Sequence, residues 1–270
     1  MLLLHGKPHP RFWLWAVLDY LWGVFATLGT IFLCLALWQF THQQMGSMVM
    51  PAPQAVLHRV YEITQGAERA NIMTTLWRGC FALLLAMSCG SLLGFMAGLS
   101  KTMALLLRPI NTILLGIPPI IWIVLALFWF NMGDTSVIFT VWIVVLPFVF
   151  AAAQMSLCSV PTDLIEVMKV YRIPFSRQLT QLYCPYIFRQ MLPALIVAVG
   201  SGLKVTVMAE LLGSNDGMGS AIANARAMLD TTDVMAYVLL IISLIMLIEY
   251  GVLEPIRRYV LQGENDVKTE

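Results

Sequence analysis

Long charge-free stretches constrain this chain most: Tyr20 to Leu57, Gly79 to Ser100, Pro109 to Gly133, Thr135 to Thr162 and Val234 to Ile248 contain no Asp, Glu, Lys or Arg. Lipid offers no partner for open backbone groups, so an apolar run of roughly 20 residues, rising about 1.5 Å per residue, crosses a bilayer as a helix. The spans are placed at about 20–40, 73–99, 110–131, 136–156, 190–212 and 236–256, the fifth of them outside these gaps and carrying Lys204 and Glu210. The expected fold class is therefore all-α, a polytopic membrane protein with six transmembrane helices. Charged residues make up 11% of the chain, where a soluble domain carries about 25%. The basic residues are few and dispersed, which gives no phosphate-binding patch and excludes a nucleic-acid partner.

Basic residues set the expected orientation. With the N-terminus inside, the inner segments hold Lys7, Arg11, Lys101, Arg108, Lys169, Arg172, Arg177, Arg189, Arg257, Arg258 and Lys268, and the outer loops hold Arg59, Arg69 and Arg226. That asymmetry follows the positive-inside tendency, so both termini are expected in the cytoplasm. Lys7 and Arg11 precede the first apolar segment as in a signal peptide. The segment is too long for one and no small-residue cleavage site closes it, so a retained helix is expected. Cys34, Cys80, Cys89, Cys158 and Cys184 have no C-x-x-C spacing and imply neither a disulfide framework nor a zinc site.

Several local patterns carry structural expectations. In the outer loop at 41–70, Pro51-Ala-Pro leads into a stretch with Val56, Val60 and Ile63 at helical spacing, a short helix against the membrane surface. Gly90, Gly94 and Gly98 lie about one turn apart and form a flat ridge for a close helix neighbour. Pro118 and Pro119, in the middle of the third span, remove backbone donors and predict a bend or break, a candidate lining of a translocation path. Lys204 and Glu210 are ionisable groups at membrane depth and are further path candidates, although a structural or snorkelling lysine explains the same letter. Arg78 and Glu249 are expected close enough to the interfaces to snorkel. Gly213 to Gly219 punctuates an outer loop and lacks the Lys-Ser/Thr ending of a nucleotide-binding loop.

The polar interval from Glu166 to Pro185 stands apart from the spans around it. Ser159-Val-Pro-Thr-Asp reads as a helix start, with Asp163 near the positive helix end. Leu164, Val167, Met168 and Tyr171 form an apolar stripe, Ile173-Pro174 stops the helix, and Phe175 to Tyr183 forms a second short segment carrying Arg177. The stripe needs cover, from the chain's own bundle, the membrane interface or a separate soluble protein.

These residues resemble the inner-membrane permease subunit of a bacterial binding-protein-dependent ATP-binding cassette importer. The family's cytoplasmic signature is E-A-A-x3-G-x9-I-x-L-P, against which stand Glu166-Val167-Met168, Arg172 and Leu182-Tyr183-Cys184-Pro185. Leu107-Arg-Pro-Ile, Gly116-Ile-Pro-Pro-Ile-Ile-Trp-Ile, Phe128-Trp-Phe-Asn-Met-Gly-Asp134, Gly202-Leu-Lys-Val, Ala209-Glu210-Leu-Leu-Gly213, Gly217-Met-Gly219 and Glu254-Pro-Ile-Arg257-Arg258 resemble nitrate, sulfonate and taurine permeases, in matching order along nearly the whole chain. The resemblance implies one transmembrane permease domain over residues 1–270 in the bacterial inner membrane, with a cytoplasmic coupling loop at 157–189. Asp163, Glu166, Met168, Tyr171, Arg172, Pro174 and Arg177 would form the ATPase coupling surface. Arginine replaces the signature glycine at 172, so either the corner is built differently or Arg172 contacts the ATPase.

The implied partners are a second permease copy, most simply an identical one, two cytoplasmic ATPase subunits, a periplasmic or lipid-anchored solute-binding protein and the lipid bilayer. The chain would be no enzyme and bind no cofactor, with ATP and Mg held by the ATPase, and the solute would be a small anion or related small solute. A secondary transporter or channel is the alternative, but it needs its own coupling groups and often inverted repeats, and Lys204 alone is offered. An intramembrane enzyme is disfavoured because His5, His9, His42 and His58 lie in terminal or outer-loop regions.

Overall fold

The computed structural model describes residues 13–257. Lys7, Arg11, Arg258, Lys268 and the two chain ends invoked for orientation lie outside the described residues. Eleven α-helices follow in order: α1 (Trp13–Met45), α2 (Pro53–Gln65), α3 (Arg69–Leu99), α4 (Lys101–Gly116), α5 (Pro119–Phe130), α6 (Asp134–Cys158), α7 (Thr162–Val170), α8 (Phe175–Gln178), α9 (Cys184–Gly213), α10 (Met218–Ala227) and α11 (Thr231–Ile248). Five helical segments are long and apolar enough to cross a membrane, and a sixth crossing exists only if α4 and α5 count as one broken span. The protein is an all-α multi-pass membrane protein.

The expected break in the third span falls at Ile117-Pro118, where α4 and α5 meet at 98°. Pro118 is extended, with ψ at 143°, and Pro119 opens α5 in the position where a missing N–H costs least. The span itself begins earlier than the charge gap indicated, at Lys101, because Lys101 and Arg108 lie on exposed helix rather than in a loop.

Helix α6 is the centre of the molecule. In its most apolar stretch 56% of residues are buried, against 11% in α11 and none in α1, so the last two present their apolar surface to lipid. Helices α3 and α9 pack on either side of α6, with Ala82, Ala86, Val141, Val145, Val149, Ala153 and Ala198 in the shared core. The α3 glycines permit the approach. A Cβ added at Gly94 would stand 2.6 Å from both the Ala153 Cβ and the Phe150 carbonyl oxygen, and one added at Gly90 would stand 2.9 Å from the Leu146 oxygen. Without a hydrophobic drive between helices in lipid, such backbone proximity is a main source of association.

Two π-helical turns, Leu179–Tyr183 and Glu249–Leu253, each precede a proline by two residues. The Cys184 N–H reaches back to the Leu179 carbonyl, and the Glu254 N–H to the Glu249 carbonyl. The wider turn accommodates the ring of Pro185 or Pro255, which would otherwise clash with the preceding turn. Helix α8, the first π turn and α9 therefore run as one continuous segment from Ser176 to Gly213.

At the end of the bundle away from residues 159–178, α2 packs with α10 and α11 through Val56, Ile63, Met218, Ile222, Ala236 and Tyr237. The amphipathic stretch thus forms the helix its spacing predicts. Gly94→Ala is expected to lower stability by about 1–3 kcal/mol through overpacking against α6. Gly23→Ala on α1, where a Cβ meets nothing within 4 Å, is the matched control, and scanning fluorimetry in detergent reads both.

Candidate coupling hairpin and translocation face

Helix α7 begins after Pro161, with Asp163 in its first turn. Ser159 is not its cap as the sequence suggested: it ends α6, its N–H donating to the Met155 carbonyl, and its hydroxyl turns back to Ser156. The far end of α7 closes in a Schellman arrangement. The Tyr171 N–H donates to the Val167 carbonyl at 3.1 Å and the Ile173 N–H to the Met168 carbonyl at 3.0 Å, with Arg172 left-handed at φ 50°. Arginine here keeps the conformation glycine adopts freely, at a cost of about 1–2 kcal/mol. The corner is thus conventional in geometry and strained in residue choice. Pro174 then starts the next segment, accepting from the Arg177 and Gln178 N–H groups, and the Gln178 amide donates to the Ile173 carbonyl at 2.7 Å.

The stripe on α7 has little cover among the described residues. Leu164, Val167 and Tyr171 are 46%, 51% and 76% exposed, and Asp163, Glu166, Arg172, Pro174 and Arg177 are also exposed, with Met168 half-buried. The cover by the chain's own bundle is therefore slight among the described residues. One contact that sequence reasoning missed anchors the hairpin: the Tyr186 hydroxyl on α9 donates to the Ser159 carbonyl at 2.8 Å.

Mid-span candidates fall in two settings. Lys204 is exposed on α9, with Val197 and Met208 exposed on the same face and no ion pair to it among the described residues. Gly200, one turn away, has nothing within 4 Å of the position a Cβ would take. Pro118 is exposed and Pro119 half-buried at the α4–α5 break.

Glu210 stands elsewhere, sealed at 0% exposure, and Arg78 beside it is 1% exposed rather than snorkelling. Both expectations are corrected by the same network. Arg78 Nη1 donates to Glu210 Oε1 at 3.1 Å, to Ser214 Oγ at 3.0 Å and to the Asp216 carbonyl at 2.9 Å, while its Nε donates to Asp134 at 2.8 Å. Its Nη2 pairs with Asp134 and Asp216. Glu210 Oε2 accepts from Thr75 at 2.7 Å and from the Gly219 N–H at 3.2 Å. Hydrogen bonding to Arg78 holds the Asp216 carboxyl below its usual range. The contribution of Asp216 is therefore present above the ordinary carboxylate value and is lost as pH falls through the depressed one. Gly217, at φ +95°, lies over the Glu210 carboxylate, where a Cβ would come within 2.3 Å of Oε1. Spacing gave no sign that Thr75, Asp134 and the Ser214–Asp216 loop meet, because they come from three separate segments. The available signal was an arginine at the edge of one apolar stretch and a glutamate near the end of another.

With this geometry in place, comparison with known proteins assigns the chain. Residues 90–252 match the family of binding-protein-dependent transport system inner membrane components. The chain belongs to that family and is the membrane permease component of an ABC-type importer. It is 27% identical to the taurine transport system permease protein TauC of Escherichia coli (strain K12), over 92% of this chain and 93% of that one. It is 24% identical to the putative aliphatic sulfonates transport permease protein SsuC of Bacillus subtilis (strain 168), over 83% of this chain and 77% of that one. The nitrate import permease protein NrtB of Synechococcus elongatus is 25% identical over 71% of this chain and 72% of its own length. Among solved structures, an inward-facing MetNI methionine ABC transporter shares the fold, with a TM-score of 0.56 at 19% identity over 74% of this chain and 96% of that one.

Two outcomes test the site's physics. Glu210→Ala removes one partner of a buried charge and is expected to lower stability by about 3–5 kcal/mol, read by thermal unfolding in nanodiscs. Arg172→Gly relieves the left-handed corner and is expected to raise stability by about 1 kcal/mol in the same assay, the relief partly offset by added freedom in the unfolded chain.

Proposed function

We propose that two copies of this chain enclose a translocation path in a bacterial inner membrane, with both termini cytoplasmic and one ATPase subunit seated on each 157–189 loop. The observation that carries this reading is the α7 stripe, whose apolar residues flank Glu166 and stand exposed among the described residues. An unpartnered apolar stripe on a polar hairpin suits a soluble protein better than lipid. Asp163, Glu166, Met168, Tyr171, Arg172, Pro174 and Arg177 form the contact. ATP and Mg reside on the ATPase, and ATP-driven closure of its dimer biases the helices between inward-open and outward-open arrangements. A periplasmic or lipid-anchored binding protein delivers the solute at the opposite end.

The solute is a small anion or related small solute of the nitrate, sulfonate and taurine kind, supported by the relatives above and by Lys204. Lys204, Pro118 and Pro119 line the path, the lysine because it is exposed at membrane depth with no ion pair among the described residues. Glu210 is assigned no lining role: with every approach to its carboxylate closed, it braces α9 instead. Glu166→Lys is expected to abolish ATP-driven uptake in proteoliposomes containing the ATPase while membrane insertion stays normal. Uptake at the wild-type rate would overturn the coupling role.

A further inference from the structure

At the hairpin end of the bundle a groove of about 880 Å³ opens between the last turns of α3, the end of α6 and the first turns of α9. Phe95, Leu99, Leu157, Phe188 and Leu195 wall it, no charged side chain lines it, and Leu99 and Phe188 are themselves exposed. On α3 the lining runs from Ser91 to Leu99, about 12 Å at 1.5 Å per residue. That is close to the depth of one leaflet, half of a hydrocarbon core about 30 Å thick.

Distances along the helices place the groove in the bilayer. The contact between Arg78 and Glu210 marks one polar level. From Arg78 along α3 to Leu99, and from Glu210 back along α9 to Arg189, the length is the same, about 31 Å. Leu99 and Arg189 therefore stand level with each other, one hydrocarbon thickness from the Arg78–Glu210 contact. Phe95 and Leu195 lie between the two levels, at a depth that acyl chains reach and a soluble protein does not. The mouth of the groove lies at the headgroups, where Tyr183 lines it with the amphipathic ring favoured at that level.

The mouth also carries positive charge. Arg189 directly follows Phe188, Lys101 stands two residues beyond Leu99, both are exposed, and neither has an ion pair among the described residues. Arg172 and Arg177 are further exposed cations, farther out on the hairpin. The acidic groups of this end lie on other elements: Asp163, Glu166 and Glu249 make no ion pair with Lys101 or Arg189 among the described residues, and Glu254 pairs with Arg257. Arg108 is engaged differently, donating to the Gln154 amide oxygen at 3.4 Å. An apolar slot one leaflet deep with cations at its headgroup end has the two features that hold an anionic phospholipid, since basic pockets between membrane helices on the cytoplasmic side recognise such headgroups.

We propose that this groove holds an anionic phospholipid, one acyl chain lying along Phe95 and Leu195 and the phosphate meeting Lys101 and Arg189. The inference rests on the reading above only in taking the hairpin end as cytoplasmic.

The permease–ATPase assembly is exchanged into detergent and titrated with phosphatidylglycerol or phosphatidylcholine of matched chain length, bound lipid being counted by native mass spectrometry. The wild type is expected to hold phosphatidylglycerol about tenfold more tightly than phosphatidylcholine, and to lose that preference as salt rises. The double variant Lys101→Gln/Arg189→Gln is expected to bind both lipids alike, and Ser91→Trp, which fills the groove from its α3 wall, to weaken both. Thermal unfolding confirms that the variants are folded, and the salt series on the wild type tests the charge without any substitution. No preference in the wild type, or the same preference in the double variant, overturns the lipid site. In a cryo-electron microscopy map of the assembly in nanodiscs containing phosphatidylglycerol, tubular density between α3 and α9 supports it, whereas an empty groove or one filled by another polypeptide overturns it. An assembly in which the hairpin touches no ATPase overturns the coupling reading and leaves the lipid site standing.

Discussion

One buried guanidinium holds this bundle in register. Arg78 on α3 reaches Asp134 at the head of α6, Glu210 near the end of α9, and Ser214 and Asp216 in the following loop. Three of the central helices are therefore tied at one end by a single side chain. A buried ion pair of this type is weak evidence for net stability, but removing one partner is costly because the other charge stays behind. The loop after α9 completes the arrangement: Gly217 and the Gly219 N–H come so close to the Glu210 carboxylate that no larger residue fits at 217.

At the other end the balance is reversed. The α7 hairpin is held by backbone hydrogen bonds, the Gln178 amide and the Tyr186 hydroxyl, and Leu164, Val167 and Tyr171 stay exposed among the described residues. One end of the permease is closed on itself and the other is left open. The opposite end keeps the helices aligned, while the hairpin leaves an apolar surface available for the contact proposed above.

The sequence made the fold legible where hydrophobicity alone decides. Charge gaps marked most of the long apolar helices, the prolines at 118 and 119 placed the break, and the glycine ridge on α3 marked the packing face before its neighbour was known. Contacts between polar residues on different helices were not legible. Glu210 looks like a path residue in isolation because nothing local reveals that Thr75, Arg78 and Gly219 consume its oxygens. Ser159 looked like a cap for the helix after it because Ser-Val-Pro-Thr is as good a start as a finish. Arg172 is the instructive intermediate case. The family signature marks a corner there, and the corner exists, yet no local rule says that an arginine would accept φ 50° rather than distort the turn.

The continuity of α9 joins the two ends. From Ser176 to Gly213 the helical segment spans 38 residues, about 57 Å at 1.5 Å per residue. Its lower part is the second arm of the hairpin, and its upper part carries Glu210. A displacement of the hairpin therefore needs no chain of intervening side chains to be felt at the far end, because one rod carries it. The π turn at Leu179–Tyr183 is the place where that rod departs from ideal geometry, directly beside the hairpin. Such turns lack the tight hydrogen-bond register of an α-helix and are a frequent site of adjustment. Bending is thereby concentrated next to the hairpin, and the rest of α9, packed on α6 and locked through Glu210, is held as a unit.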